Sequence, residues 1–441
     1  MEHGTTLLLD LPGVAVQRVV RQVDGAREVH VVTDEESASA CPACGVFSTS
    51  CKGRRVTRPR DIPYGCNEVR LVWHKRRWRC TEAACPRGSF TEQVAQVPAY
   101  ARVTGRCRDQ IAARIGDENR SVAEVGAEHA VSWPTAHRAL VAYADRVLVE
   151  PDPVQVLGID ETRRGRPRWD FDPAANRWVR TDRWHTGFVD LAGDQGLLGQ
   201  TLGRRAVDVV AWLDERGEEF KASITHVAID PSAAYAKAVR QALPEAVLVG
   251  DHFHFIQLAN TMLTDVRREH TRAVRGRRGR KIDPEWVNRR RLLTARERLS
   301  HRTFAKMWNG CMDADPTNSI LVAYIIKEEL RDLLALHGTD ADRSVISHRL
   351  WRFYRWCADS DLPQAHTLAT TVETWWPALE ALLATSITNA KTEGINRLAK
   401  DVARRACGFR NPDNHQRRVR LHCTRALRRE PARVSDQPHQ G

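Results

Sequence analysis

Two short apolar runs, Val154 to Ile159 and Ile224 to Ile229, each close on an aspartate, Asp160 and Asp230, and this repetition constrains the fold more than any other feature. Runs this short between polar residues read as buried strands rather than helices. The surrounding pattern alternates in the same way. Trp184 to Leu191 and Gly196 to Leu202 predict two more strands, Val207 to Arg216 a helix, Ala233 to Leu243 another helix, and Ala246 to Val249 a fifth strand ending at Asp251. Aspartate is common at strand ends for turn-forming reasons alone. Two aspartates in matching slots of one strand-helix series are harder to assign to turns.

Three strands, then helix, strand, helix and strand, is the order of a ribonuclease-H-like α/β core, in which the first and fourth strands are neighbours. That order makes Asp160 and Asp230 face each other. Far downstream, Ser386 to Val402 has helical spacing: Asn389, Glu393, Asn396 and Lys400 share one face, while Ile395, Leu398 and Val402 line another. Three converging carboxylates can hold divalent metal ions beside a phosphodiester, with Glu161 and Asp251 as rival ligands. The chain between Asp230 and Glu393 reads as a helical insertion, with periodic segments at Thr261 to Arg277, Glu285 to Leu299, Ser319 to Leu336, Ala341 to Cys357 and Gln364 to Leu383. Arg267, Arg268, Arg275, Arg277, Arg278, Arg280 and Lys281 make its first part basic, as a DNA contact or a solvated loop would be. Trp375 and Trp376 fit a core better than a stack on an extruded base.

Composition agrees with a polyanionic partner. Lys and Arg number 68 against 55 Asp and Glu in 441 residues, a formal charge of +13. A chain of this length divides into roughly two to four units. Met1 to Leu11 is no secretory signal, and Ile320 to Ile326 is followed at once by Lys327, Glu328 and Glu329, which excludes a span there. A soluble, cytoplasmic protein is expected, with its eleven cysteines as thiols or metal ligands rather than disulfides. Cys41-Pro42-Ala43-Cys44 is a tight knuckle, and Cys80 with Cys85 supplies a second pair, completing four soft ligands for structural Zn²⁺. Cys51, Cys66 and His74 lie in the same segment without knuckle spacing. Val69, Leu71 and Trp73 alternate with polar residues as a half-exposed strand would, and Arg76 and Arg77 are among the basic residues that suit phosphate contacts.

Next come helical patterns at Cys107 to Ile115, Ser121 to Glu128 and Ser132 to Arg146, with Ser132 as cap and Pro134 in the first turn. The last two, joined by a tight turn, form a helix-turn-helix pattern or an ordinary helical bundle. As a DNA reader it presents Trp133, Thr135, His137 and Arg138 to the groove and turns Leu140 and Val141 inward. Val14 to Val32 forms a hairpin-like stretch around Asp24-Gly25, and the tail after Cys423 is basic.

The paired cysteines, the helix-turn-helix, Gly158-Ile159-Asp160-Glu161, Ile229-Asp230-Pro231, Asp251-His252-Phe253-His254 and Thr392-Glu393-Gly394-Ile395-Asn396, in this order, resemble the ISL-three family of bacterial insertion-sequence transposases. The resemblance runs from about Cys41 to His422. It implies a catalytic triad of Asp160, Asp230 and Glu393, supported by an Asp-x-x-His element at Asp251 and His254. It further implies Mg²⁺ or Mn²⁺ at the triad, Zn²⁺ at the cysteines, and hydrolysis at the element ends followed by joining of the 3′ ends to target DNA. Double-stranded DNA as terminal repeats and target, a homo-oligomer on DNA, no membrane, and a bacterial, nucleoid-associated location complete the expectation. Arg404 and Arg405 precede, and Arg410 lies within, a small basic turn after the glutamate helix, at Cys407 to Asn411.

The expected organisation is a strand segment (1–35), a zinc-binding module (36–95), a helix-turn-helix domain (96–150), a first part of the catalytic core (151–260), a helical insertion (261–385), the last core helix with its basic turn (386–425) and a tail (426–441). The rivals are a DNA-binding regulator without catalysis, and a nuclease or resolvase of the same fold.

Overall fold

The computed structural model describes residues 4–64, 69–181 and 183–429. Cys66 and most of the basic tail lie outside them. The chain forms two compact units, one ending at Glu150 and resuming at Leu398, the other Pro151–Arg397.

In the first unit, strands β1 (Val14–Arg21), β2 (Arg27–Thr33), β3 (Cys51–Thr57), β4 (Val69–Arg79) and β5 (Ser89–Thr91) form one sheet in the order β1-β2-β4-β3, with β5 also on β4. The expected hairpin is β1 and β2, turning at Asp24-Gly25, where Gly25 adopts φ 83° and Asp24 Oδ1 accepts from the Ala26 N–H. β4 is less exposed than its alternation suggests. Leu71, Val72 and Trp73 are buried in succession, because this central strand is covered on both faces.

After the short helix α1 (Gly4–Leu9), this unit contains α2 (Gly105–Gly116), α3 (Val122–Glu128) and α4 (Trp133–Val147). Thr104 caps α2, and Ser121 forms a capping box with Glu124 at the start of α3. Ser132 does not cap α4 as expected; its hydroxyl meets Thr135 Oγ1 at 2.9 Å instead. Leu140 packs inward with Ile111, Ile115, Val125 and Ala136, whereas Val141 is only half-buried.

The sequence reading placed residues 386–425 with the catalytic core, but from Leu398 onward the chain groups with this first unit. Leu421, on the helix Pro412–Cys423, is fully buried in the same cluster as Ile111 and Leu140. On that helix Arg418 is buried as well, donating to the Arg120 carbonyl at 2.6 Å. Burial lowers its pKa to about 10.

The second unit is built on a sheet of β6 (Val156–Arg163), β9 (Trp184–Asp190), β10 (Leu197–Leu202), β11 (His226–Ile229) and β12 (Val247–Gly250), with β7 (Arg168–Asp172) and β8 (Arg177–Thr181) as a separate two-stranded ribbon. Strand order is β10-β9-β6-β11-β12; β6, β11 and β12 run parallel, and β9 and β10 are antiparallel additions. β6 does not stop at Asp160 but continues to Arg163, since pairing with β9 extends from Leu157↔Asp190 to Arg163↔Trp184. Helices α5 (Ala206–Asp214), α6 (Gly217–Ser223) and α7 (Ala233–Ala242) share a core with Leu157, Ile159, Val227 and Ile229. In that core Phe188 and Trp212 stack at 3.7 Å.

The helical insertion differs in detail from its expected segments. α8 (His252–Arg275) starts directly after Asp251, nine positions before Thr261. The single helix expected over Glu285 to Leu299 is two short ones, α9 (Pro284–Val287) and α10 (Arg289–Leu293), and α11 (His301–Ala314) was not anticipated. α12 (Ser319–Leu334) and α13 (Arg343–Ala358) match their patterns, whereas Gln364 to Leu383 splits into α14 (Pro363–Thr374) and α15 (Trp376–Thr385). Pro377 in the first turn of α15 favours starting a new helix over continuing the old one. Trp375 and Trp376 pack against the cluster of Leu263, Ile326, Leu330 and Leu379, as core residues.

Part of the basic stretch is neutralised within the insertion. Arg275 pairs with Glu285 at 2.6 Å and Arg277 with Asp283 at 2.7 Å, the latter holding the Asp283 carboxyl down at about 2. Arg268, Arg278, Arg280 and Lys281 stay exposed. Helix α16 (Ala390–Arg405) follows, and the boundary between the two units falls within it. Among the described residues no helix is long and apolar enough to cross a membrane.

The burial of Leu421 yields a prediction: Leu421→Ala removes about 2–5 kcal/mol of stability from the first unit. Urea denaturation followed by the circular dichroism of the purified chain measures it.

Candidate active site

The parallel register of β6 and β11 pairs Ile159 with Ile229, so Asp160 and Asp230, each one residue further on, emerge side by side. Asp251 follows β12 on the far side of β11. His254, one turn into α8, stands between two of these acids: its Nε2 is 2.8 Å from Asp230 Oδ2 and its Nδ1 3.2 Å from Asp251 Oδ2. Ionised carboxylates only accept, so both ring nitrogens must donate and the ring is an imidazolium. The hydrogen bonds to Asp230 and then to Asp251 accordingly raise His254 to about 10. Ligand atoms of Asp230, Asp251 and His254 lie within 4.8 Å of one another.

Asp160 is the strained member. Burial raises its carboxyl to about 8, and the neighbouring charges of Asp230 and Glu161 push the same way. Asn396 donates to Asp160 Oδ2 at 2.6 Å, while the Glu161 N–H donates to Oδ1 at 2.7 Å. Thr162 Oγ1 donates to Asn396 Oδ1 at 2.6 Å, which fixes the amide orientation. Glu161 has Arg204 at 3.5 Å. His254 thus serves Asp230 and Asp251, and Arg204 serves Glu161, while Asp160 has no cationic side chain in an ion pair with it among the described residues. A cation of higher charge fits the surplus, and oxygen donors suit a hard divalent ion.

Asn389 precedes α16 and donates to Asp230 Oδ1 at 3.4 Å; Asn396, seven residues on, reaches Asp160. Glu393 lies between them on the same helix face, as the spacing predicts. Neither it nor Asp160 joins the 4.8 Å group of Asp230, Asp251 and His254; the Glu393 carboxylate is part-exposed, 3.7 Å from Arg397. Its charge is felt at His252, which burial nonetheless lowers. The close approach of this segment to β6 depends on Gly158, where any Cβ would collide with Thr392 Oγ1. Sequence reasoning placed Asn389 and Asn396 on the glutamate's face but missed their part in aiming the aspartates, and it missed Thr162 and Gly158. Shared helical phase was the only signal for the asparagines; a glycine two residues before Asp160 hinted at close packing.

The four cysteines converge as expected. Cys41 and Cys85 Sγ are 3.9 Å apart, and Cys44 and Cys80 Sγ 3.6 Å. A tetrahedron with Zn–S bonds of about 2.3 Å has edges of roughly 3.8 Å, so these sulfurs are spaced for one zinc ion. Gly45 turns the knuckle at φ 74°, its N–H bonding the Cys41 carbonyl at 2.8 Å. The Ala43 backbone N–H brings the Cys41 thiol down to about 7, toward the thiolate that a metal binds. Cys51 is exposed outside this group, and His74 meets His30 instead, at 2.9 Å.

On α4, Trp133 and Arg138 are exposed and Thr135 and His137 half-buried, with the Trp133 and His137 rings stacked at 4.8 Å. Arg76 pairs with Glu92, Arg77 donates to Ser89, Arg405 pairs with Asp401, and Arg404 and Arg410 are exposed.

Comparison with known proteins identifies the family. A DDE-type ISL3 model described as transposase matches residues 157–419, and one described as the zinc finger of transposases IS204/IS1001/IS1096/IS1165 matches residues 37–85. The first spans more than half of the chain, which therefore belongs to the ISL3 family of transposases. The transposase of insertion sequence element IS1001 from Bordetella parapertussis is 24% identical over 410 residues, covering 91% of this chain and 93% of that protein. The transposase of IS1557 from Mycobacterium tuberculosis is 26% identical over 427 residues, covering 88% and 87%. Among solved structures, a Drosophila P element transposase strand transfer complex matches at 11% identity with a TM-score of 0.40, over 72% of this chain and 90% of that one. The zinc-finger match includes all four cysteines, so the first unit carries a zinc ribbon.

One zinc ion per chain is expected by plasma mass spectrometry of the purified protein. Cys44→Ala should lose that ion and lower the melting temperature, and EDTA should do the same to the native chain.

Proposed function

We propose that this protein binds the terminal repeats of an insertion sequence, cuts the element ends by metal-dependent phosphodiester hydrolysis and joins the freed 3′ ends to target DNA. The observation that carries the reading is the side-by-side emergence of Asp160 and Asp230 from paired parallel strands, with two asparagines of one segment holding them and Glu393 between those asparagines. The strand order, with three parallel strands extended at one edge by the antiparallel pairings of β9 and β10, supports a ribonuclease-H-like core.

In this reading Asp160, Asp230 and Glu393 hold the divalent ions, Mg²⁺ or Mn²⁺. The chemistry that two such ions would supply is activation of water or a terminal 3′ hydroxyl and stabilisation of the leaving oxygen. The chain's own residues do the positioning. Asn396 and the Glu161 N–H fix the plane of the Asp160 carboxylate, and Asn389 steadies Asp230. His254 supports the site by balancing the charge of Asp230, with Asp251 anchoring the ring. Glu393, part-exposed and 3.7 Å from Arg397, is the third carboxylate of this reading.

Helices α3 and α4 serve as the helix-turn-helix. Trp133, Thr135, His137 and Arg138 lie at the start of α4, where a recognition helix contacts base edges. Arg76, Arg77, Arg404, Arg405 and Arg410 contribute phosphate contacts. Pairing two element ends calls for at least two copies of the chain on DNA. The work is done on bacterial nucleoid DNA in the cytoplasm.

Asp160→Ala should reduce nicking of DNA carrying the flanking repeats to background with Mg²⁺, while gel-shift binding of the same DNA stays unchanged; retained nicking would sink the assignment. Arg138→Ala should weaken repeat binding by about 1–3 kcal/mol and relax the preference for repeat over random sequence. Equal affinity of variant and wild type in fluorescence anisotropy would remove α4 from the interface.

A further inference from the structure

The ribbon of β7 and β8 has no role in the scheme above. It interrupts the chain between β6, which carries Asp160, and β9, which pairs with it, so it grows out of the sheet beside the acids. Its register fixes which side chains share a face. Trp169 opposes Arg180 and Phe171 opposes Trp178, and in a two-stranded ribbon residues two apart lie on the same side. Trp169, Phe171, Trp178 and Arg180 therefore form one face, three of its four members aromatic.

That face is open. Trp169 is 63% exposed, Trp178 64% and Phe171 47%. An edge-to-face contact between Phe171 and Trp178, with ring centres 5.6 Å apart, steadies the ribbon. Ribbon stability accounts for that pair. It does not account for Trp169, whose indole lies in water opposite an arginine. Large aromatic side chains grouped on an unsupported ribbon mark a surface that something covers.

Charge identifies the occupant. From Arg163 to Arg183 the chain holds seven arginines against three aspartates. At the base of the ribbon, partial burial lowers the pKa of Arg164, and repulsion from Arg183 and Arg168 adds to the effect. An anion there relieves the repulsion. Flat aromatic faces beside arginines suit nucleic acid with unpaired bases, whose rings stack on indoles while phosphates meet guanidinium groups. Trp169 lies nine residues from Asp160, at most about 30 Å of extended chain, a span that one DNA molecule can cover.

We propose that the β7–β8 ribbon is a stacking arm that holds unpaired nucleotides of the DNA next to the carboxylate site, with Trp169 and Trp178 as the platforms. This rests on the proposed DNA-processing function and adds a preference for single-stranded or splayed DNA at the cut end.

The test compares the full-length protein with Trp169→Ala/Trp178→Ala and with Trp169→Phe/Trp178→Phe. Each is titrated by anisotropy with a blunt duplex of about 30 base pairs, and with the same duplex bearing an overhang of about three nucleotides that includes 2-aminopurine. Wild type should favour the overhang at least about tenfold and quench the 2-aminopurine on binding. The alanine variant should lose both effects yet bind the blunt duplex as wild type does, and the phenylalanine variant should keep most of each. Binding of both duplexes by wild type with no overhang preference overturns the stacking arm and leaves the transposase reading standing. An overhang preference that survives in the alanine variant overturns it too. Failure of wild type to bind either duplex overturns both readings. If the alanine variant alone sediments as a smaller species with unaltered DNA affinities, the aromatic face joins copies of the chain and the proposal fails.

Discussion

The second unit depends on one pairing, the parallel ladder between β6 and β11. Because Ile159 is in register with Ile229, the two carboxylates that follow are brought together by backbone hydrogen bonds rather than by any attraction between them. They repel, and the buried core beneath, with Leu157, Ile159, Val227 and Ile229, offsets that repulsion. Burial, and after it the charge of Asp230, raises the proton affinity of Asp160, while hydrogen bonds to Asp230 and Asp251 raise that of His254. A slip of one residue would turn the aspartates to opposite faces.

Crowding alone leaves carboxylates free to rotate, and rotation is what Asn389 and Asn396 restrict. Their amides are set by the segment running into α16, whose approach to β6 requires a residue without a side chain at Gly158. A glycine with no chemistry of its own thus belongs to the machinery. In the first unit the zinc ribbon achieves comparable fixity with little hydrophobic core, using four thiols where the second unit uses packed aromatic and branched side chains.

Periodicity reports whether a segment is strand or helix, and for the five-stranded sheet it sufficed to anticipate that the strands before Asp160 and Asp230 are neighbours. It says less about where elements stop. β6 outruns its apolar stretch because β9 pairs with it beyond Asp160, and the helix expected over Gln364 to Leu383 breaks at tryptophans that look periodic. The β7–β8 ribbon went unread although Arg-Trp-Asp-Phe-Asp alternates cleanly, because its apolar face meets water and so mimics a loop. Partnership was the least legible property. Nothing local to Leu421 says that it completes a cluster of helices formed some three hundred residues earlier, and nothing local to Asn396 names Asp160, 236 positions away.

Those two long-range contacts have a consequence for the order in which the chain is made. Leu421 closes the core of the helical cluster, and Asn396 closes the acid cluster, so each unit waits for a late segment before its own geometry is whole. During synthesis the ribosome releases the zinc ribbon and most of the sheet well before either segment appears. A nascent or prematurely terminated product holds the acids without the amides that aim them, and α2 to α4 with an unfilled apolar face. A product that stops before Asn396 therefore leaves Asp160 without its amide partner, and one that stops before Leu421 leaves the cluster of α2 to α4 open at that position.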